Sequence, residues 1–234
     1  MSLRTATLRM SLQVLFFYYD RGISSLGKRR SYILNVEKVE SILVAANKVF
    51  IKYGYQKTTM DDIAQEASIG KGTIYYYFHS KEDVFIEILK KIKEETNAKL
   101  DELICSAASF EEKFKVFFTE PPTQYLSHYK LFIQVMNEQS PAFLKKLQEF
   151  KASAHEDTKR MLLKIINEAK ENGVLNANYA DSTEKLVNII FKWMFISGEH
   201  VRINYSENTI ADLLDDYVLF SDVLINGLIL KEER

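Results

Sequence analysis

The sequence predicts an all-α protein, and three observations support this class. Beyond Lys81, apolar residues recur at the three- and four-residue spacing of helices, and no stretch shows strand-like alternation. Helix breakers are scarce, with three prolines and eight glycines among 234 residues. Nearer the N-terminus, the segment from Thr59 to Phe78 spells a helix, a three-residue turn and a second short helix, which is the layout of a DNA-reading helix-turn-helix.

The first helix of this unit is expected to begin near Met60. Thr58 and Thr59 carry hydroxyl groups that can cap a helix, and the charges of Asp61 and Asp62 suit its positive end.

Residues 68–70 interrupt the helical pattern, and the second helix is expected to run from Lys71 to Phe78. Ile74 and Phe78 are four residues apart and should face inward together. The remaining positions are unusual for a solvated helix, but they suit a phosphate-rich, partly apolar DNA groove. The alternative is that the tyrosines are ordinary packing residues. The remaining positions of the second helix are Lys71, Gly72, Thr73, Tyr75, Tyr76 and Tyr77.

From Val36 to Phe85 the sequence resembles the DNA-binding domain of the TetR family of bacterial repressors. The family often has Gly where Ser68 stands, and Ser or a similar cap where Gly70 stands; Gly70 can still adopt a positive φ or serve as a cap. The shared features are a long helix ending in Phe50 and Tyr53-Gly54-Tyr55, the Thr58-Thr59 pair, Ile63-Ala64, Lys71-Gly72-Thr73, Tyr75 with Tyr77-Phe78, and Ser80-Lys81-Glu82.

The resemblance implies a role for individual residues. Gly72, Thr73 and Tyr75 match positions that approach base edges in the family. Thr59, Tyr76, Tyr77 and Lys81 match positions that hold the phosphate backbone, and Lys71 is added to the DNA-binding set because lysines bind phosphate oxygens.

Charge and resemblance together suggest three regions. Residues 1–33 form a basic extension with six basic residues and one acidic residue. Residues 34–85 form the three-helix DNA-binding domain and hold six basic and seven acidic residues. Residues 86–234 are expected to form a helical effector-binding and dimerisation domain, and they hold nineteen basic and twenty-four acidic residues. Because the net charge is −1, affinity for a double-stranded operator must come from the placement of a few lysines, hydroxyls and helix N-termini.

The basic extension has no assigned site. Its apolar run from Leu12 to Tyr19 lacks a following cleavage site and is short for a membrane span, so neither a secretory signal nor a membrane anchor is expected. A DNA-binding arm, a packing helix and an upstream extension of start-site choice or cloning all remain open.

Composition gives no reason to expect an enzyme, a metal or a cofactor. The single cysteine, Cys105, excludes an internal disulfide and fits a reducing cytoplasm, and the four histidines form no metal-binding motif. Neither a Gly-x-Ser-x-Gly motif nor a phosphate-binding glycine loop is present. The alternative function is a helical adaptor that binds protein partners and has no DNA role.

Helix boundaries in the second half follow from caps and breakers. Ser80 should cap a long helix ending near Cys105, and Ser109 with Glu112 should cap a short one through Phe118. The pair Pro121-Pro122 should end that helix and begin another that runs to about Asn137. Further helices are expected from Pro141 to near Gly173, from Asp181 or Ser182, and from about Asn208 to Leu230.

The last two helices carry apolar residues around more of their circumference than a one-sided surface helix needs. A second copy of the chain is the economical partner, and the family dimerises in this way as a four-helix bundle. A palindromic operator would follow, with half-sites about 34–36 Å apart or a multiple of that spacing.

Aromatic residues in the middle helices suggest a pocket for a hydrophobic small-molecule effector, with His128, Gln134 or Asn137 giving orientation. Plain core packing is the alternative for each of them. By resemblance, such an effector would act through the helix from Lys81 to Cys105 and release a repressor from its operator. The candidate ligand-binding residues are Phe114, Phe118, Tyr125, Tyr129, Phe132, Met136 and Trp193.

Overall fold

The computed structural model describes residues 26–127, 131, 140–203 and 207–229. Within these ranges the chain forms nine α-helices and no strand, and a single isolated antiparallel bridge joins Leu175 to Ile229. The predicted all-α class is confirmed. The helices are α1 Leu26–Tyr53, α2 Met60–Glu66, α3 Lys71–Tyr77, α4 Lys81–Ser106, α5 Phe110–Ser127, α6 Pro141–Glu171, α7 Ala177–Ala180, α8 Thr183–Ile203 and α9 Glu207–Leu228.

Helix α2 begins where the sequence predicts. Thr59 is the N-cap, and its hydroxyl accepts a hydrogen bond from the backbone N–H of Asp62. In return the backbone N–H of Thr59 donates to Oδ2 of Asp62 at 2.8 Å, which completes a capping box. The hydrogen bonds from the hydroxyl and backbone of Thr59 hold the pKa of the Asp62 carboxyl below its ordinary value of 3.8.

The turn between α2 and α3 uses a left-handed residue at an unexpected place. Gly70 is the N-cap of α3 with an ordinary φ of −72°, whereas Ser68 has a φ of +53°. The backbone N–H of Ile69 then donates to the carbonyl of Ala64 at 2.9 Å and closes the turn. The glycine common in the family at position 68 would adopt this conformation without the steric cost that a side chain brings.

A first hydrophobic core holds the helix-turn-helix together and extends beyond it. Ile63 of α2 and Ile74 of α3 are fully buried against aromatic residues of the surrounding helices. Phe143, in the first turn of α6, belongs to the same cluster and is also fully buried. The DNA-binding unit is therefore packed directly against the helix that follows the segment 132–139.

The second core lies among α4, α5, α6, α8 and α9. Phe114, Phe117 and Phe118 of α5 are fully buried there, together with Leu162 and Ile166 of α6. Helix α4 contributes to both cores, because Phe85 to Ile92 lie in the first and Leu100 lies in the second. Within the ranges that the structure describes, no helix is long and apolar enough to cross a bilayer.

The predicted end of α5 at Pro121-Pro122 was wrong. The helix continues through both prolines to Ser127. A proline cannot donate a backbone hydrogen bond and strains the preceding turn, but the buried rings of Phe114, Phe117 and Phe118 hold the turns before the pair in place. The helix predicted to follow, up to Asn137, lies largely outside the described residues.

The remaining helix boundaries agree with the sequence. Ser80 caps α4, accepting a hydrogen bond from the backbone N–H of Asp83, and Ser140 caps α6. Gly173 adopts a φ of +68° just after α6 ends. Helix α8 begins within two residues of the predicted start, and α9 begins and ends within two residues of the predicted positions.

Candidate nucleic-acid interface

Helix α3 divides sharply into a buried side and an outward side. Ile74 is fully buried and Phe78, which follows the helix, is 7% exposed, so the prediction that both face inward is confirmed. On the opposite side, Tyr75 is 41% and Tyr76 is 74% exposed. We call this outward side the reading face; it comprises Lys71, Gly72, Thr73, Tyr75 and Tyr76.

Gly72 has no internal packing reason to be a glycine. Apart from its chain neighbours and the backbone of its own helix, a Cβ built at this position would meet no atom within 4 Å, and the residue is exposed. Its backbone conformation is that of a regular helix. The predicted close approach of the Gly72 backbone to DNA stays a prediction.

Lys71 forms an ion pair across the turn. Its Nζ donates to Oδ2 of Asp61 at 2.8 Å, and both side chains are more than half exposed. The hydrogen bond to Asp61 and the attraction between the two charges raise the pKa of Lys71 above its ordinary value of 10.5. The lysine is therefore held as a cation, but its charge is shared with a carboxylate.

Tyr77 has a structural contact in addition to its predicted DNA role. Its side chain is half-buried, and its hydroxyl donates to Oδ1 of Asn35 in α1 at 2.9 Å. The ring also packs edge-on against Tyr76, with the centroids 5.0 Å apart. Tyr77 thus fixes α3 against α1 and supports the exposed ring of Tyr76; its contact with phosphate stays a prediction.

Lys81 is similarly engaged inside the protein. Its Nζ donates to the carbonyl oxygens of Tyr55 at 2.8 Å and Gln56 at 3.4 Å, and it lies 4.4 Å from the centroid of the Tyr55 ring. These contacts tie the start of α4 to the turn after α1. The predicted phosphate contact is not tested by this geometry, since an ammonium has three donors.

Thr59 and Thr73 lie at the N-terminal ends of the two helices. Thr59 is exposed, and its hydroxyl donates to Oδ2 of Asp62 at 2.7 Å while it caps α2. Thr73 is partly buried within the first turn of α3. The ion pair between Lys71 and Asp61 brings the N-terminal ends of α2 and α3 together, and the DNA-binding role of the eight residues stays a prediction.

Sequence reasoning missed two residues that arrange this surface. Asn35 is 42 positions from Tyr77, and Asp61 was noted for its place at the start of α2 and not as the partner of Lys71. Neither pairing follows a helical period, so only the three-dimensional fold reveals it.

Three of the candidate ligand residues meet in an aromatic cluster. Trp193 stacks on Phe220 with ring centroids 3.6 Å apart and planes at 16°. Phe118 lies against the same Phe220 at 5.9 Å and also against Phe114 at 5.0 Å. Tyr217 joins the cluster, 5.3 Å from Trp193. Neither Tyr217 nor Phe220 was among the sequence candidates.

The other candidate ligand residues cannot be placed in this cluster. The side chain of Tyr125 and the residues Tyr129, Phe132 and Met136 lie outside the described part of the chain, as do His128, Gln134 and Asn137. A cleft of about 470 Å³ between α4 and α6 holds none of the candidates, and its lining is largely charged. The aromatic pocket therefore stays a prediction.

Residues 42–88, from the second half of α1 into α4, match the family described as bacterial regulatory proteins, tetR family. This part of the chain, which contains the helix-turn-helix, has the sequence pattern of the TetR family. The HTH-type transcriptional regulator YhgD of Bacillus subtilis, itself uncharacterized, is 28% identical over 191 residues, which cover 80% of this chain and 97% of that protein.

Solved structures of transcriptional regulators share the fold of this chain. A transcriptional regulator from Cytophaga hutchinsonii has a TM-score of 0.66 at 23% identity, covering 82% of this chain and 99% of that one. The fatty acid degradation regulator FadR from Bacillus halodurans has a TM-score of 0.60 at 23% identity, and the match covers 79% of this chain and 94% of that one. The likeness extends over both parts of the chain, not only over the helix-turn-helix.

The protein is a DNA-binding transcriptional regulator. The family match covers α2 and α3, the two helices that carry the reading face. The relatives are transcriptional regulators and not enzymes, and the alternative of a helical adaptor without a DNA role is not supported.

Proposed function

We propose that the protein is a homodimeric repressor that lays α3 of each subunit into adjacent major grooves of a palindromic operator. The reading face carries this proposal, because Tyr75 and Tyr76 are exposed while the neighbouring Ile74 is fully buried. In the proposed complex, Gly72, Thr73 and Tyr75 approach base edges, and Lys71 with the surrounding hydroxyls binds phosphates. Such a regulator works where the bacterial operator is, in the cytoplasm.

The proposed dimer forms through α8 and α9. Ile189 of α8 is 55% exposed, and Val218, Leu219 and Val223 of α9 are 44%, 65% and 61% exposed. Apolar side chains this exposed on two neighbouring helices are typical of a surface that a partner covers. A second copy presents the same surface about a two-fold axis, so the two patches can bury each other.

We further propose that a hydrophobic small molecule releases the operator. The aromatic cluster around Phe118 and Trp193 supplies apolar walls, and a fatty acid regulator shares the fold. Helix α4 joins the two cores, so a ligand that displaces its second half would move the reading faces apart. Switching occupancy from 1:99 to 99:1 requires the effector to favour the released state by roughly 5.5 kcal/mol.

DNA titration tests the core of the proposal. A duplex recovered from a random library by the protein itself is titrated with wild type, with Tyr75→Ala and with Tyr179→Ala as a matched control. Tyr179 is a comparably exposed tyrosine, at 38%, in the short helix α7. We expect Tyr75→Ala to bind about tenfold or more weakly, a loss typical of a base contact, and the control to bind as wild type.

Salt dependence completes this test. Wild-type affinity should fall steeply as salt concentration rises, because phosphate contacts release counterions. Equal binding by wild type and Tyr75→Ala would mean that α3 does not read the duplex, and the proposed operator complex would be rejected.

A further inference from the structure

An acidic side chain lies at the edge of the reading face. Asp61 is the second residue of α2, and Lys71 is the first residue of α3. Their side chains meet at 2.8 Å and are 57% and 65% exposed. The pair therefore links the N-terminal ends of both helices of the helix-turn-helix on a surface open to solvent.

The other two acidic residues of α2 make different contacts. The Asp62 carboxylate accepts hydrogen bonds from the backbone and the hydroxyl of Thr59 and so completes the helix cap. Glu66 lies at the C-terminal end of α2 and pairs with Lys48 of α1 at 2.5 Å. Asp61 forms no part of the cap, and its described partner is a lysine of the reading face.

The pair opposes the binding of Lys71 to a phosphate. The Asp61 carboxylate competes with a phosphate oxygen for the charge of the ammonium, and it also repels a phosphate that approaches Lys71. An exposed ion pair is weak enough to open when other contacts assist. Those other contacts are the base contacts of α3, which form only on a matching sequence.

We propose that Asp61 is a specificity-determining residue that keeps Lys71 paired on non-operator DNA and releases it to a backbone phosphate only on the operator. The inference rests on the proposed reading of DNA by α3. Non-specific affinity comes almost entirely from phosphate contacts. Withholding one such contact per subunit therefore weakens non-specific binding more than operator binding.

The test compares wild type with Asp61→Asn on two duplexes. One is the duplex that the protein selects from a random library, and the other is a scrambled duplex of the same length and base composition. Dissociation constants are measured by fluorescence anisotropy over a series of salt concentrations. We expect Asp61→Asn to bind the scrambled duplex about three- to tenfold tighter, with smaller gains on the selected duplex. The salt slope on the scrambled duplex should steepen by about 1 per subunit.

Two further variants separate this mechanism from a general charge effect. Glu66→Gln removes an acid of the same helix and should leave the ratio of the two affinities unchanged. Lys71→Met should leave the salt slope of wild type on scrambled DNA unchanged but should cancel the gain in the Asp61→Asn background. Asp61→Ser replaces Asp61→Asn if the latter does not fold.

Three outcomes would overturn the inference. They are an unchanged affinity ratio in Asp61→Asn, an equal change in Glu66→Gln, or a gain that persists without Lys71. If wild type shows no preference for the selected duplex, the proposed function fails and this inference fails with it. A wild type that discriminates and an Asp61→Asn variant that discriminates equally well reject this inference alone.

Discussion

The ring of Phe143, in the first turn of α6, packs against the ring of Tyr55 with centroids 5.4 Å apart. Tyr55 belongs to the turn that follows α1, so this contact joins α6 to the helices around the helix-turn-helix. Phe85 of α4 completes the group, 5.1 Å from Tyr55 and 5.8 Å from Phe143. A displacement of either α4 or α6 therefore reaches the helix-turn-helix through the same three rings.

Replacing Phe143 by alanine should destabilise the whole protein. The side chain is fully buried, so its removal should cost about 3–5 kcal/mol of unfolding free energy through lost burial and a residual cavity. Urea denaturation followed by circular dichroism measures this. Leu144→Ala is the control, because Leu144 is the next residue and is 40% exposed. A similar loss in both variants would show that Phe143 has no special role in the first core.

Replacing Ser68 by glycine should stabilise the protein. The φ of +53° at Ser68 costs a residue with a Cβ about 1–2 kcal/mol, which glycine largely avoids. We expect a gain of about 1 kcal/mol in urea denaturation. Ser41→Gly, at an exposed position inside α1, should instead lose about 0.5 kcal/mol. A loss at both positions would contradict the left-handed conformation of Ser68.

Stability at acid pH should depend on Asp83. Burial would raise the pKa of its carboxyl, but hydrogen bonds from Lys146 and Ser80 outweigh burial and hold the pKa below the ordinary 3.8. A depressed folded-state pKa adds stability above the unfolded-state value, and that stability is lost as the pH falls through the folded-state value. Asp83→Asn should therefore be less stable than wild type at neutral pH, and this difference should shrink as the pH falls below about 4.

Thermal unfolding from pH 7 to about pH 2 measures that difference. Asp101→Asn removes an exposed carboxylate of the same helix and serves as the control. Its stability should differ little from that of wild type at either end of this pH range. If the difference in thermal stability between wild type and Asp83→Asn stays constant across this pH range, ionisation of Asp83 is not its cause.

Charges on α9 should abolish the proposed dimer. Leu219→Lys combined with Val223→Lys places two cations where two apolar side chains are 65% and 61% exposed. Sedimentation velocity should show a monomer, and operator affinity should fall about a hundredfold or more because the two half-sites no longer bind together. Val44→Lys changes a 58% exposed residue of α1 and should remain dimeric. A dimeric double variant would mean that another surface forms the interface.

Local patterns in the sequence were sufficient for the parts of the fold that depend on near neighbours. The four-residue spacing of Ile74 and Phe78 predicted the buried side of α3, and the threonine before Met60 predicted the start of α2. Caps and periodic burial act within one or two turns, so they can be read without knowing the tertiary structure.

Features that depend on distant packing could not be predicted in this way. The helix through Pro121 is one example, because the helix that carries the rings of its preceding turns packs on α4, α6 and α9. The pairing of Tyr77 with Asn35 joins residues on different helices. At Ser68 the sequence offered Gly70 as the flexible residue of the turn, but the strained conformation fell on the serine.

Because the space around Gly72 is open, a mutation there should leave the stability of the fold unchanged even where it alters DNA binding. Since a Cβ at this position would meet no atom within 4 Å beyond its chain neighbours and its own helix backbone, the fold itself would accept a larger residue there. Any penalty for a larger residue would come from the bound duplex. If the proposed operator complex forms, substitutions at position 72 should alter the choice of target sequence while the folding of the protein is left intact.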